Sequence, residues 1–291
     1  MMKKLTILFA VVCWSAAAIA QMANAEMMNP PKVLVIIREV VKPGKSAAHE
    51  QWEAGWPRAF AKAEWGVHYI AASSMTGEGR VLFMTGYDSL AAWESDISAQ
   101  EKNAALAAEQ RMLSEKDGDY LTGSRTGVFT LMPELSYQPA VAVAGMRYLV
   151  ITSLQLKPGH NDAFAEVRKM IRAAHEKASL ADHYLVYSSS AGVPNNEYLI
   201  IVPVKSLAEQ DQFPMVHGQA YKDALGEDNQ KKMTEFARQS VESSETQIFA
   251  FSPKMSYPSK EWVNADPEFW TPKPSSAAKP MAKTGKRAVK K

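Results

Sequence analysis

The feature that most constrains this chain is that it repeats itself. Lys42-Pro43-Gly44 recurs as Lys157-Pro158-Gly159, an offset of 115 residues. At the same offset His68-Tyr69-Ile70 matches His183-Tyr184-Leu185, and Ser73-Ser74 matches Ser188-Ser189. Ser89-Leu90-Ala91 then matches Ser206-Leu207-Ala208 at offset 117, and Phe129 to Tyr137 matches Phe249 to Tyr257 at offset 120. The added residues fall at turns such as Gly192-Val193-Pro194-Asn195-Asn196. Blocks matched in order, with insertions confined to turns, point to two copies of one structural unit.

Each copy reads the same way. Val33 to Val41 and Arg147 to Leu156 are rich in Val, Ile and Leu, as buried strands are. Lys-Pro-Gly stops each strand and opens a helix. In the second copy Phe164, Val167, Ile171 and Ala174 recur at helical spacing. Strands are expected at Val67 to Ser74 and His183 to Ser189, and again at Val81 to Tyr87 and Tyr198 to Val204. One or two helices follow. A last strand, Val128 to Met132 and Gln247 to Phe251, ends before Pro133 and Pro253. The order β-α-β-β-α-β is a ferredoxin-like split unit, so the expected fold class is α+β, with units at 26–138 and 146–258.

A hydrophobic strand, then Lys-Pro-Gly, then an amphipathic helix carrying aromatics resembles the dimeric α+β barrel superfamily, including antibiotic-biosynthesis monooxygenase-like and NIPSNAP-like proteins. The resemblance spans roughly Pro31 to Pro258. It implies two ferredoxin-like sheets paired into a barrel with helices outside, here within one polypeptide. Members of that superfamily range from cofactor-free oxygenases to haem proteins to binders, so the resemblance marks a fold and names no cofactor.

The ends read differently from the middle. Lys3 and Lys4, an apolar run from Leu5 to Ala20 and the small-residue site Ala23-Asn24-Ala25 form a secretory signal peptide over 1–25. The run is shorter than the about 20 residues that a spanning helix needs, and no later segment is apolar enough to span. The only cysteine, Cys13, lies inside the signal, so the mature chain has no disulfide, thiolate ligand or cysteine nucleophile. The stretch 271–291 carries seven basic residues and no acidic one, whereas the part between signal and tail has a net charge of −7. That tail is expected to be disordered, and its charge suits an anionic envelope surface. The acidic middle argues against a dedicated nucleic-acid-binding domain.

Several chemistries lack their motifs: there is no phosphate-binding glycine loop, no His-Glu-x-x-His and no Gly-x-Ser-x-Gly. The informative positions are those where the copies differ. His49, Trp52 and Trp56 stand where the second copy has Phe164, Val167 and Ile171, and Arg38-Glu39 stand where it has Ser153-Leu154. Arg38 and Glu39 point to opposite faces of their strand, so only one faces the helix. The first copy thus offers a polar-aromatic pocket, and the second an apolar core. Indole faces suit a flat, largely apolar small molecule, so Trp52, Trp56 and His68 are candidate ligand-binding residues. In a cofactor-free oxygenase or isomerase His49 would take a proton and Arg38 would stabilise the oxyanion. A haem-binding protein with His49 or His68 as axial ligand is the alternative, and a non-catalytic envelope interaction protein is another. His68 and His183 are expected to make equivalent structural hydrogen bonds rather than to share a metal. His160, His175 and His217 receive no role.

The signal carries its own test. N-terminal sequencing of protein from the envelope fraction should begin at Glu26; an intact Met1 would refute the reading.

Overall fold

The structure, a computed structural model, describes residues 29–211 and 218–271. The expected signal, the tail beyond Thr271 and His217 lie outside the described residues. Strand β1 (Val33–Val41) is followed by helices α1 (Ser46–Glu53) and α2 (Gly55–Lys62), then β2 (Tyr69–Ser74) and β3 (Arg80–Tyr87). Helices α3 (Leu90–Lys102) and α4 (Ala104–Asp117) lead to β4 (Leu121–Leu131). After two single-turn segments, Pro133–Leu135 and Val143–Gly145, come β5 (Tyr148–Leu156), α5 (Asn161–Ala178), β6 (Leu185–Ala191) and β7 (Glu197–Val204). Then follow α6 (Leu207–Gln210), α7 (Gln219–Leu225), α8 (Glu227–Ser240), β8 (Val241–Phe251), α9 (Lys260–Ala265) and α10 (Pro267–Trp270).

The strands form a closed antiparallel barrel in the order β1-β3-β2-β8-β5-β7-β6-β4. Two seams join the halves. β2 pairs with β8 through Ala72–Phe251, and β4 pairs with β6 through Phe129–Ser189. The expected units at 26–138 and 146–258 therefore share one barrel and one interior. Alternate residues from all eight strands, among them Leu34, Leu82, Phe129, Ile151, Leu199 and Phe249, meet in a single apolar cluster inside it. The other face of each strand is covered by helices: Leu154, Phe164 and Ile171 pack there in the second half, and Phe60, Leu106 and Leu113 in the first. A strand buried on both faces has no polar side to show, which is why β1 reads as a continuous apolar run.

The repeated motifs do repeated work. Gly44 and Gly159 take positive φ angles of 76° and 84° after their prolines, a conformation in which glycine has no Cβ to clash. Lys42 and Lys157 donate from Nζ to the main chain at the ends of α4 and α8, to Asp119 and Gln239. Ser136 Oγ accepts from Val186 N at 2.9 Å, and Ser256 Oγ accepts from Ala71 N at 2.9 Å. Each serine thus ties the end of one half to the second strand of the other.

The first helix is two pieces, as expected of Pro57, which has no N–H to bond back to the carbonyl of Glu53. Other elements depart from expectation. Strands β4 and β8 begin about seven residues earlier than their apolar ends suggest, since their polar first halves pair with β1 and β5 along the whole ladder. Residues 259–270, unassigned from sequence, form α9 and α10, capped by Ser259 and Asp266. Trp270 is buried there and donates to the carbonyl of Ala144 at 2.8 Å. His175, given no role from sequence, is fully buried with Asp182 at 3.3 Å, and Arg168 is buried as well. The second half is therefore not a purely apolar core. Among the described residues no helix is long and apolar enough to cross a membrane.

The paired serines give a direct check on the seams. Ser136→Ala and Ser256→Ala each leave a buried amide without its acceptor, which should cost about 1–3 kcal/mol in urea unfolding; a change near zero would show that the two contacts do not hold the seams.

Candidate functional site

The barrel interior ends differently at its two mouths. At one, a cavity of about 480 Å³ is lined by Leu34, Ile70, Met84, Leu149, Tyr187 and Ile201, with Trp262 of α9 beside it. All but the last come from strands, so the walls are rigid. The tyrosine hydroxyl of Tyr187 donates to the carbonyl of Pro31 at 3.0 Å and holds the entering chain across this mouth. Burial pushes the Tyr187 phenol upward, so it remains a neutral donor. Its polar lining is sparse and includes Asn29, His68, Asp88 and Ser259. His68 lies against the Tyr257 ring at 4.8 Å, and burial lowers its pKa, which favours the neutral imidazole. His183 donates from Nε2 to the carbonyl of Pro203 at 2.7 Å. Both repeated histidines thus bond to main chain, His68 at Tyr257 and His183 at Pro203, so the contacts are similar in kind but differ in partner.

The opposite mouth is charged. Arg38 meets Glu197 at 2.7 Å and stands over the Phe129 ring at 5.1 Å. Arg80 bridges Glu78 and Glu245. These residues line a second cavity, of about 750 Å³, at this end of the barrel. Arg38 therefore belongs to the inside of the barrel.

His49 belongs to the outside. Glu39, one residue along β1, points under the helices and takes the face that Arg38 does not. His49 Nε2 lies 2.9 Å from Glu39 Oε2 and 3.4 Å from Asp117 Oδ1. Glu53 sits one helical turn after His49, on the same face of α1. All four residues are buried, and one ligand atom from each lies within 4.8 Å of the others. Burial, then the charges of Glu39 and Asp117, pushes Glu53 up to about 9. Burial, then Glu39, raises Asp117 to about 6. At neutral pH Glu53 therefore keeps its proton unless a cation replaces it. Among the described residues this is the set of side chains suited to hold a metal.

Both indole N–H groups are engaged beside this cluster. Trp52 donates to the carbonyl of Leu113 at 2.8 Å, and Trp56 donates to Glu53 Oε1 at 3.2 Å. Trp56 also stacks on Phe60 with centroids 6.5 Å apart. His49 is only 1% exposed, and its Nε2 is engaged by Glu39 at 2.9 Å. The five candidate residues are thus divided among three places: His49, Trp52 and Trp56 under the helices, Arg38 at the charged mouth and His68 at the apolar mouth. Sequence reasoning singled out Glu39 as one of two alternatives on β1, and it missed Glu53 and Asp117. The spacing of His49 and Glu53 was a readable signal; Asp117 carried none.

No family model and no curated protein matches this sequence. Among solved structures, a provisionally named monooxygenase from Fusobacterium nucleatum is similar, with 12% identity and a TM-score of 0.48 over 77% of this chain and 94% of that one. An anthrone oxidase-like protein has 12% identity and a TM-score of 0.45 over 78% and 94% of the two chains. Chlorite dismutase from Candidatus Nitrospira defluvii in complex with imidazole has 11% identity and a TM-score of 0.43 over 77% and 92%.

The geometry sets the sign of one substitution. His49→Phe removes the partner of two buried carboxylates and should destabilise by about 1–3 kcal/mol in a thermal or urea melt. A variant as stable as the parent would mean that the imidazole carries no structural bond.

Proposed function

We propose that this protein binds a small, largely apolar molecule in the open mouth of its barrel. The observation that carries this is the cavity of about 480 Å³, walled by aliphatic and aromatic side chains from both halves with a few polar groups in its lining. That is the composition of a small-molecule site, where apolar walls supply affinity and a few polar groups fix orientation. His68, Asp88 and Ser259 are among the groups able to orient a polar end of the ligand. The ligand then lies on the seam between the halves, and not under the first helix. His49 and Arg38 stand on opposite faces of β1, so the reading rests on binding and assigns no acid–base step to that pair.

The same proposal takes the chain as a tandem duplication of a ferredoxin-like unit, bounded near 26–138 and 146–258, that builds its barrel alone. Supporting it are the sequence offsets, the strand order running 4-1-3-2 in each half, and the matched serines. Export through the leader at 1–25, and contact of the basic tail with an anionic envelope surface, complete the reading.

Native mass spectrometry of protein from its own host should show a retained small molecule. Met84→Trp fills the cavity and should weaken binding of an apolar fluorescent dye at least about tenfold, at a stability cost of about 1–3 kcal/mol. Unchanged dye affinity in a folded variant would refute the site.

A further inference from the structure

The cluster under α1 is separate from the barrel cavity, and its chemistry is that of a cation site. We propose that Glu39, His49, Glu53 and Asp117 bind one divalent first-row transition ion, of the zinc, manganese or iron class, as a closed centre clamping β1, α1 and α4 together.

Three observations carry this. The first is the donor set. Three carboxylates and one imidazole, each at most 8% exposed, present one ligand atom apiece within 4.8 Å of one another. Hard oxygen donors with a single imidazole suit zinc, iron or manganese better than magnesium or calcium, which take oxygen alone. His49 aims Nε2 inward, and its spacing with Glu53 puts two ligands on one helix face.

The second is Asp117. It is 7% exposed, and its Oδ1 has no hydrogen-bond partner although it points at His49. A single Nε2 proton serves only one acceptor well, and Glu39 is the nearer. Asp117 is also the last residue of α4, where the helix dipole disfavours an anion. A cation satisfies both demands on that carboxylate. Nearby, the Tyr69 hydroxyl is likewise shut off from solvent without a partner, and it feels the charge of Glu53.

The third is the contrast with the other half. Leu154, Phe164 and Arg168 stand where the first half has Glu39, His49 and Glu53. There the Phe164 and Tyr198 rings pack at 4.1 Å between centroids. The fold thus has an apolar way to fill this space, and the first half uses ligands instead. Because each of the four is buried and Trp52 and Trp56 bond around them, the centre is structural and offers no open position to substrate.

The alternative occupant of the charge balance is a shared proton, and experiment separates the two. Elemental analysis of protein purified without chelator should find a stoichiometric transition ion. Chelator should remove it and lower the melting temperature by on the order of 10 °C, with recovery on adding the same ion. Glu53→Gln and Asp117→Asn should lose the ion. Should those variants fail to fold, cobalt(II) titration of chelator-treated parent protein should give visible ligand-field bands. A melting temperature indifferent to chelator and to added zinc, manganese and cobalt would overturn the proposal. So would a Glu53→Gln protein that melts higher than the parent, which is what a shared proton predicts. An ion retained by both variants would place it elsewhere on the surface, with the same consequence.

Discussion

Closure of the barrel is the constraint on which the rest depends. A four-stranded antiparallel sheet has two edges of unpaired amides and carbonyls, and it buries only one face well. Here each half meets the edges of the other, β2 with β8 and β4 with β6, and no edge is left. The seams are short, so further bonds reinforce them. Tyr69 and Tyr257 exchange main-chain bonds across one seam, and Tyr137 and Tyr184 across the other. The segments after β4 and β8 carry Tyr137 and Tyr257, which gives a physical reason for the repeat of FTLMPELSY as FAFSPKMSY.

Closure buries both faces of much of the sheet, and neighbouring residues can then serve different sites. Arg38 and Glu39 are adjacent in β1, yet one finishes the inside of the barrel and the other the layer beneath the helices. Arg38 meets Glu197, which comes from β7 across the interior, and it stacks on Phe129 from β4. Glu39 meets α1 and the end of α4. The same alternation makes the cavity: residues such as Met84, Leu149 and Ile201 converge because they share the inward phase of three different strands. Cavities open at both mouths, one lined with paired charges and one largely apolar beside Trp262 of α9.

What could be read from the sequence follows from this layering. The strands announced themselves because their residues are apolar on both faces, and Lys-Pro-Gly because its proline and positive-φ glycine act locally. The inward face of α1, with His49, Trp52 and Trp56, was visible as a helical period. The purpose of that face was not, because the partners that define it are far away in sequence. Asp117 arrives from the end of another helix, and no periodicity links it to His49. Residues 259–270 were passed over because the copies had already ended at Pro258; their signal lay in Trp262, Phe269 and Trp270 and in the capping residues Ser259 and Asp266. The polar halves of β4 and β8 were hidden for the opposite reason, since main-chain pairing alone makes them strands.

The two halves fill one structural position with different ionisable groups. At matching positions on their first helices, Glu53 and Arg168 are both buried, at 3% and 4% exposure. They cannot neutralise each other, since Glu53 lies among Glu39, His49 and Asp117, and Arg168 among Tyr184 and Tyr221. Arg168 is held over the Tyr184 ring at 4.3 Å, and its Nε and Nη2 have no hydrogen-bond partner. Burial lowers its pKa, against the partial support of the tyrosines. A buried charge without an ionic partner is costly, so each half must compensate locally. The second half does so with aromatic faces and the first with ionisable groups. Sharing a barrel has therefore left the helical layers free to diverge: the seams and the interior bind both halves to one geometry, whereas the space under each helix answers only to its own chemistry.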